Sequence, residues 1–166
     1  MTDPRRPVTA TAAARAEQLV RALRGGGTTV ATAESLTGGL VCAVLTAVPG
    51  ASAAVLGGVV AYSAELKQQL LGVPASLLER HGTVAAATAE AMAEGVRART
   101  GAGWGLATTG VAGPDPLEGH PVGTVHVAVA GEGGTVSRAL TLGGDRADVR
   151  AGTVEEVLAL ALERLS

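Results

Sequence analysis

The chain has 166 residues, a net charge of −2 and a single cysteine, Cys42, which excludes a disulfide framework and argues against a nucleic-acid binder. With no Phe, one Tyr (Tyr62) and one Trp (Trp104), its core must be built from Val, Leu and Ala, enough for one domain. His81, His120 and His126 stand apart without ligand spacing, so no metal site is expected. No apolar run reaches membrane length without glycine or polar interruption, and Asp3-Pro4-Arg5-Arg6-Pro7 is too polar and proline-rich for a signal peptide. A cytoplasmic protein without membrane contact is expected.

Residues 1–11 read as a disordered lead-in and residues 12–166 as a single domain. Ala12 to Leu23 repeats apolar residues at helical spacing and stops at Gly25-Gly26-Gly27. Thr28 to Ala33 predicts a short strand, and Gly39 to Val48 a helix ended by Pro49-Gly50. Ser52 to Gly58 fits neither period, whereas Val59 to Tyr62 predicts a buried strand. Ser63 suits the cap of a helix Ala64 to Leu71; Pro74 opens a short helix to Arg80, and a longer one spans Val84 to Thr100. Trp104 to Thr109 predicts a third strand, leading into the loop Gly110 to Pro116. Gly123 to Ala130 alternates at period two, and Thr135 to Leu142 answers it as a hairpin partner across Gly131–Gly134. Gly143-Gly144-Asp145-Arg146 precedes a last helix, Ala147 to Leu165. The alternation predicts an α/β domain, layered α/β/α, with a mostly parallel sheet plus an antiparallel C-terminal hairpin.

Thr32-Ala33-Glu34-Ser35-Leu36-Thr37-Gly38-Gly39-Leu40 joins the first strand to its helix. A hydroxyl at such a turn faces helix N–H groups, which suit a phosphate or the oxyanion beside a nucleophile. A plain capped helix has the same composition. Tyr62 ends the second strand, and Thr108-Thr109-Gly110 ends the third, so three polar loops converge on the rim where open α/β sheets bind ligands. Of thirteen basic residues, Lys67 is the only lysine, which suggests a task that a permanently charged guanidinium cannot perform. At the fourth position of a helix it would titrate low and could serve Ser35 as general base, with Tyr62 relaying a proton. Such a set reads as acyl transfer, most simply amide hydrolysis. The alternative keeps Tyr62 as a packed ring and Lys67 as a surface charge. Arg146 and Arg150, one turn apart at a helix start, suit a phosphate clamp or plain solvation. Gly101 to Gly105 precedes a strand, which disfavours a dinucleotide fingerprint, and nothing beyond Lys67 itself supports pyridoxal phosphate.

The segments AESLTGGL, AYSAELK, TTGVAGPDP, PVGTVHVAVA and GGDRADVR, in this order and spacing, resemble the stand-alone C-terminal domain of the CinA family, the PncC-type nicotinamide-nucleotide amidohydrolase. The resemblance covers residues 12–165. It implies deamidation of nicotinamide mononucleotide to nicotinate mononucleotide and ammonia without metal or cofactor, by a homo-oligomer. Carried over by motif, Ser35, Tyr62 and Lys67 are the catalytic residues. Leu36, Thr37, Gly38, Gly39, Thr109, Gly110, Gly113, Pro114 and Arg146 are the substrate-binding ones, with the oxyanion among the N–H groups of Leu36 to Gly38. Three places depart from the family pattern: Ala64 replaces an asparagine, Ala85 replaces a serine, and Pro116 to His120 is shorter and less glycine-rich. A nucleotide-binding regulatory or competence-linked module without turnover is the competing function.

Overall fold

A computed structural model describes residues 8–166; the first seven residues of the expected lead-in lie outside the described residues. Helix α1 runs Ala10–Gly25, two residues earlier than expected, because Thr9 caps it by accepting from Ala12 N. Strand β1 (Val30–Glu34) leads to α2 (Leu40–Thr46), and β2 (Val55–Val60) leads to α3 (Ala64–Leu71), α4 (Ala75–His81) and α5 (Ala86–Thr100). Strands β3 (Trp104–Gly110), β4 (Thr124–Gly131) and β5 (Gly134–Thr141) precede the last helix, α6 (Arg146–Leu165).

The five strands lie in the order β2-β1-β3-β4-β5. β1 pairs parallel with both β2 and β3, whereas β3/β4 and β4/β5 are antiparallel, so only β4 opposes the common direction. The expected α/β class and the antiparallel C-terminal hairpin are both present.

The second strand differs from expectation. It begins at Val55, inside the stretch with no clear period, and ends at Val60, before Tyr62. It is also the sheet edge, paired only with β1, so its side chains alternate between half-buried and exposed instead of being buried. An apolar run cannot by itself distinguish an edge strand from a central one.

Period-two alternation sorts the sheet's side chains into two unlike faces. Val30, Leu106, Val125, Val127 and Val129 pack under α1, α2 and α6. Ala31, Ala33, Ala107, Ala128 and Ala130 face α3, α4 and α5. Small residues on that second face let α5 approach closely; a Cβ added at Gly105 would run into the carbonyl oxygen of Ala93. Among the described residues, no helix is long and apolar enough to cross a membrane.

The crossover β1–α2–β2 thus packs on one face, while the connection from β2 to β3 packs on the other. The chain reverses its winding between β1 and β3, and their C-terminal ends flank the crevice that results.

Candidate active site

Ser35 is the residue immediately after β1, with its N–H donated to Thr108 O of the neighbouring strand at 3.1 Å. The chain then turns tightly, Gly38 N–H donating to Ser35 O at 3.0 Å, and enters α2 through Gly39 at φ 101°, a conformation that favours glycine.

Glu34, not counted among the site residues from sequence, organises this turn. Its buried carboxylate, 1% exposed, accepts from the N–H groups of Gly39 (3.2 Å), Val41 (2.8 Å) and Cys42 (3.0 Å) and from the hydroxyl of Thr37 (2.7 Å). The positive end of α2 is therefore neutralised by the chain's own anion. This corrects the expectation that the N–H groups of α2 serve Ser35 or a ligand: those of Gly38 and Gly39 are engaged in the turn. The N–H groups of Leu36 and Thr37 carry no hydrogen bond among the described residues. An acid directly ahead of a serine and a helix start was the signal available in sequence.

Lys67 enters from α3. Ser63 caps that helix by accepting from Leu66 N at 3.1 Å, which sets Lys67 on its inward face. Its Nζ lies 3.0 Å from Ser35 Oγ, 2.8 Å from Ala61 O and 3.3 Å from Tyr62 O. At 1% exposure it ranks among the largest fully buried side chains of the protein, so the surface-charge alternative falls. Burial lowers its pKa from 10.5 to about 8, against a smaller opposing pull from the Glu118 carboxylate. In the neutral amine two hydrogens can satisfy the carbonyls of Ala61 and Tyr62, leaving the lone pair to face the serine hydroxyl.

Tyr62 contributes its backbone to this pair rather than its phenol. The residue is 58% exposed, and its hydroxyl accepts from Arg146 NH2 at 3.0 Å. Among the described residues the phenol has no hydrogen bond to Ser35 or Lys67, so the expected proton relay has no hydrogen-bonded path. Arg146 also donates to Gly113 O at 2.6 Å, fastening the loop after β3 to the start of α6. Arg150, one turn on, does not reach the same place: it donates to Leu36 O at 2.9 Å and Thr37 O at 3.2 Å.

A cavity of about 270 Å³ opens over Ser35, walled by Leu36, Tyr62, Thr109, Gly110, Gly113, Pro114 and Arg146. Those eight residues, all singled out in sequence, come together there. Lys67 lies beneath the serine, and Thr37, Gly38 and Gly39 stand behind it in the turn. Thr83, Val111, Ala112, Asp115, Pro116 and Leu117 complete the wall without having been named as site residues. Glu118 ties the loop after β3 to the segment between α4 and α5 by accepting from Thr83 N at 2.9 Å and from Thr83 Oγ1 at 2.8 Å. A second cavity of about 620 Å³ shares Ala112, Pro114 and Arg146 with the first. At the departures from the family pattern, Ala85 stands at the N-cap of α5 without a side-chain cap, as its methyl group requires.

Known proteins resemble this chain in sequence and in fold. A CinA-like protein of Frankia casuarinae is 54% identical over 138 residues, covering 83% of this chain and 32% of its own. One from Anaeromyxobacter sp. (strain K) is 50% identical over 145 residues, with 87% and 36% covered, so the chain spans about a third of the length of these relatives. The crystal structure of the competence/damage inducible protein CihA from Agrobacterium tumefaciens superposes with a TM-score of 0.90 at 33% identity, covering 99% of both chains. A CinA superfamily protein from Enterobacter cloacae gives 0.91 at 32% identity, covering 100% and 99%. The family model of the CinA C-terminal domain matches residues 12–165, and the chain belongs to that family.

Proposed function

We propose that this domain hydrolyses the carboxamide of nicotinamide mononucleotide to nicotinate mononucleotide and ammonia, with Ser35 as nucleophile and Lys67 as its base. One observation carries the reading: the only lysine of an arginine-rich chain is buried, lowered to about 8, and 3.0 Å from a serine hydroxyl. A surface role would leave that amine in water.

Ser35 Oγ attacks the carboxamide carbon and its proton passes to Lys67, making a tetrahedral intermediate. The developing oxyanion is met by the N–H of Leu36, which lines the cavity and carries no other bond among the described residues. Lys67 then protonates the leaving nitrogen, ammonia departs, and the acyl-serine remains. Water, deprotonated by the same amine, releases the acid and regenerates Ser35. A pyridinium ring withdraws electrons from its carboxamide, so a modest base suffices. Tyr62 supplies the carbonyl that orients Lys67, and its hydroxyl steadies Arg146 for the phosphate. Arg146 stands on the wall common to the two cavities, leaving room for a nucleotide whose ring sits at Ser35 to extend past it.

The deciding assay is ammonia release from purified protein given nicotinamide mononucleotide, read beside binding of the same ligand. Release that is lost in Ser35→Ala supports the amidase. Binding without release gives the function to a nucleotide-binding regulatory module.

A further inference from the structure

Where the Glu34 carboxylate accepts from the N–H groups at the start of α2, Arg150 holds the carbonyl side of the serine turn. Its Nε donates to Leu36 O and its NH2 to Thr37 O, at 2.9 and 3.2 Å, from the first turns of α6 more than a hundred residues away in sequence. In a trans peptide the carbonyl and the following N–H point in opposite directions. Anchoring Leu36 O therefore orients the N–H of Thr37, and anchoring Thr37 O orients the N–H of Gly38. The latter donates to Ser35 O at 3.0 Å, which in turn fixes the peptide whose N–H belongs to Leu36. Three consecutive peptide planes after the nucleophile are thus locked in a chain that starts at one guanidinium. Its charge also polarises the carbonyls it holds, strengthening the N–H groups beyond them as donors.

We propose that Arg150 is a positioning residue for the oxyanion hole of Ser35, acting through the carbonyls of Leu36 and Thr37 and not as a phosphate ligand. The inference rests on Ser35 being the nucleophile, and not on which amide it attacks. It separates two arginines that sequence pairs as one clamp: both line the larger cavity, but Arg146 alone also walls the cavity over Ser35, while the fork of Arg150 is taken up by the carbonyls of the turn. Arginine suits this task because its rigid fork reaches two adjacent carbonyls at once, which a lysine amine does not reproduce.

The test is the rate at which a fluorophosphonate labels Ser35, followed by intact-protein mass spectrometry in wild type, Arg150→Ala and Arg150→Lys. In this step the Ser35 Oγ–P bond forms, the P–F bond breaks with loss of fluoride, and the hydroxyl proton passes to Lys67. The phosphoryl oxygen occupies the oxyanion position. Losing a single oxyanion-hole donor costs roughly 10²–10³-fold, so misorienting one should slow labelling by roughly 10- to 100-fold in Arg150→Ala. Arg150→Lys should fall between the two. The midpoint of the pH–rate curve, set by Lys67, should stay where it is while the plateau falls. KM for nicotinamide mononucleotide should change less than about threefold as kcat drops, since Arg146, the proposed phosphate contact, is intact. Labelling at the wild-type rate in Arg150→Ala would overturn the proposal, as would a rise in KM with kcat unchanged, which makes Arg150 a substrate ligand. Wild-type protein whose Ser35 labels but releases no ammonia would refute the proposed substrate alone, the labelling ratio still deciding Arg150. A wild-type Ser35 that never labels would overturn both.

Discussion

Two hydrogen bonds of equal length, 3.0 Å, mark the floor and the rim of the same cavity: Lys67 to Ser35 below, Arg146 to Tyr62 above. The floor pair is nearly dry, with Ser35 at 8% and Lys67 at 1% exposure, whereas more than half of Tyr62 meets solvent. Equal geometry does not mean equal chemistry. On the floor, lost hydration drives the amine toward its neutral form, the form that the proposed base requires. At the rim, exposure to solvent screens the guanidinium and keeps its bond to the phenol weak, as the proposed reversible contact with a phosphate requires.

Breaking the floor should therefore cost far more than breaking the rim. Ser35→Ala should fold and bind the nucleotide while kcat falls by roughly 10⁴-fold or more, as loss of a nucleophile generally does. A variant that keeps more than about a tenth of the rate, worth ~1.4 kcal/mol of barrier, would make water the attacking group.

Next in size is Lys67→Arg, which keeps the charge but cannot accept the serine proton; kcat should fall roughly 10²–10⁴-fold. The wild-type rate should rise with pH through about 8 and that limb should vanish in the variant. Stability provides a second readout with a defined sign. The folded amine titrates near 8 and the unfolded one near 10.5, so across that interval the unfolded chain binds a proton that the folded one lacks. Wild-type stability, measured against Lys67→Met by urea melts, should therefore rise with pH from about 8 to about 10.5, the cost of burying the charge being full below that window. An unchanged difference across the window would mean that the amine is not depressed.

At the rim, Arg146→Ala should raise KM for nicotinamide mononucleotide by roughly 10-fold, as loss of a charge-assisted contact does, and raise it much less for the riboside lacking phosphate. An equal loss on both substrates would assign Arg146 only to holding Gly113 O. Tyr62→Phe should have the smallest effect, about two- to fivefold in KM with kcat nearly unchanged, because the backbone carbonyl that holds Lys67 stays. A hundredfold fall in kcat would restore the phenol to proton transfer and erase the division between floor and rim.

Much of this was legible along the chain because it is local. Ser63 caps α3 as its hydroxyl suggested, and the period-two runs after Gly123 form the hairpin β4–β5. The lone lysine stood out against the arginines before its burial was known. What tertiary structure alone decided depends on contacts between distant segments. Whether Val55–Val60 is an edge or a central strand is set by which strands pair, and no pattern within six residues records it. Arg146 and Arg150 share one helical face, yet one meets Gly113 and the other Leu36, because the loops packed over α6 differ along its axis. The Lys67 amine is lowered to about 8 only because folding of α3 against the end of β1 removes its water, since desolvation is a property of the packed environment and not of the residue.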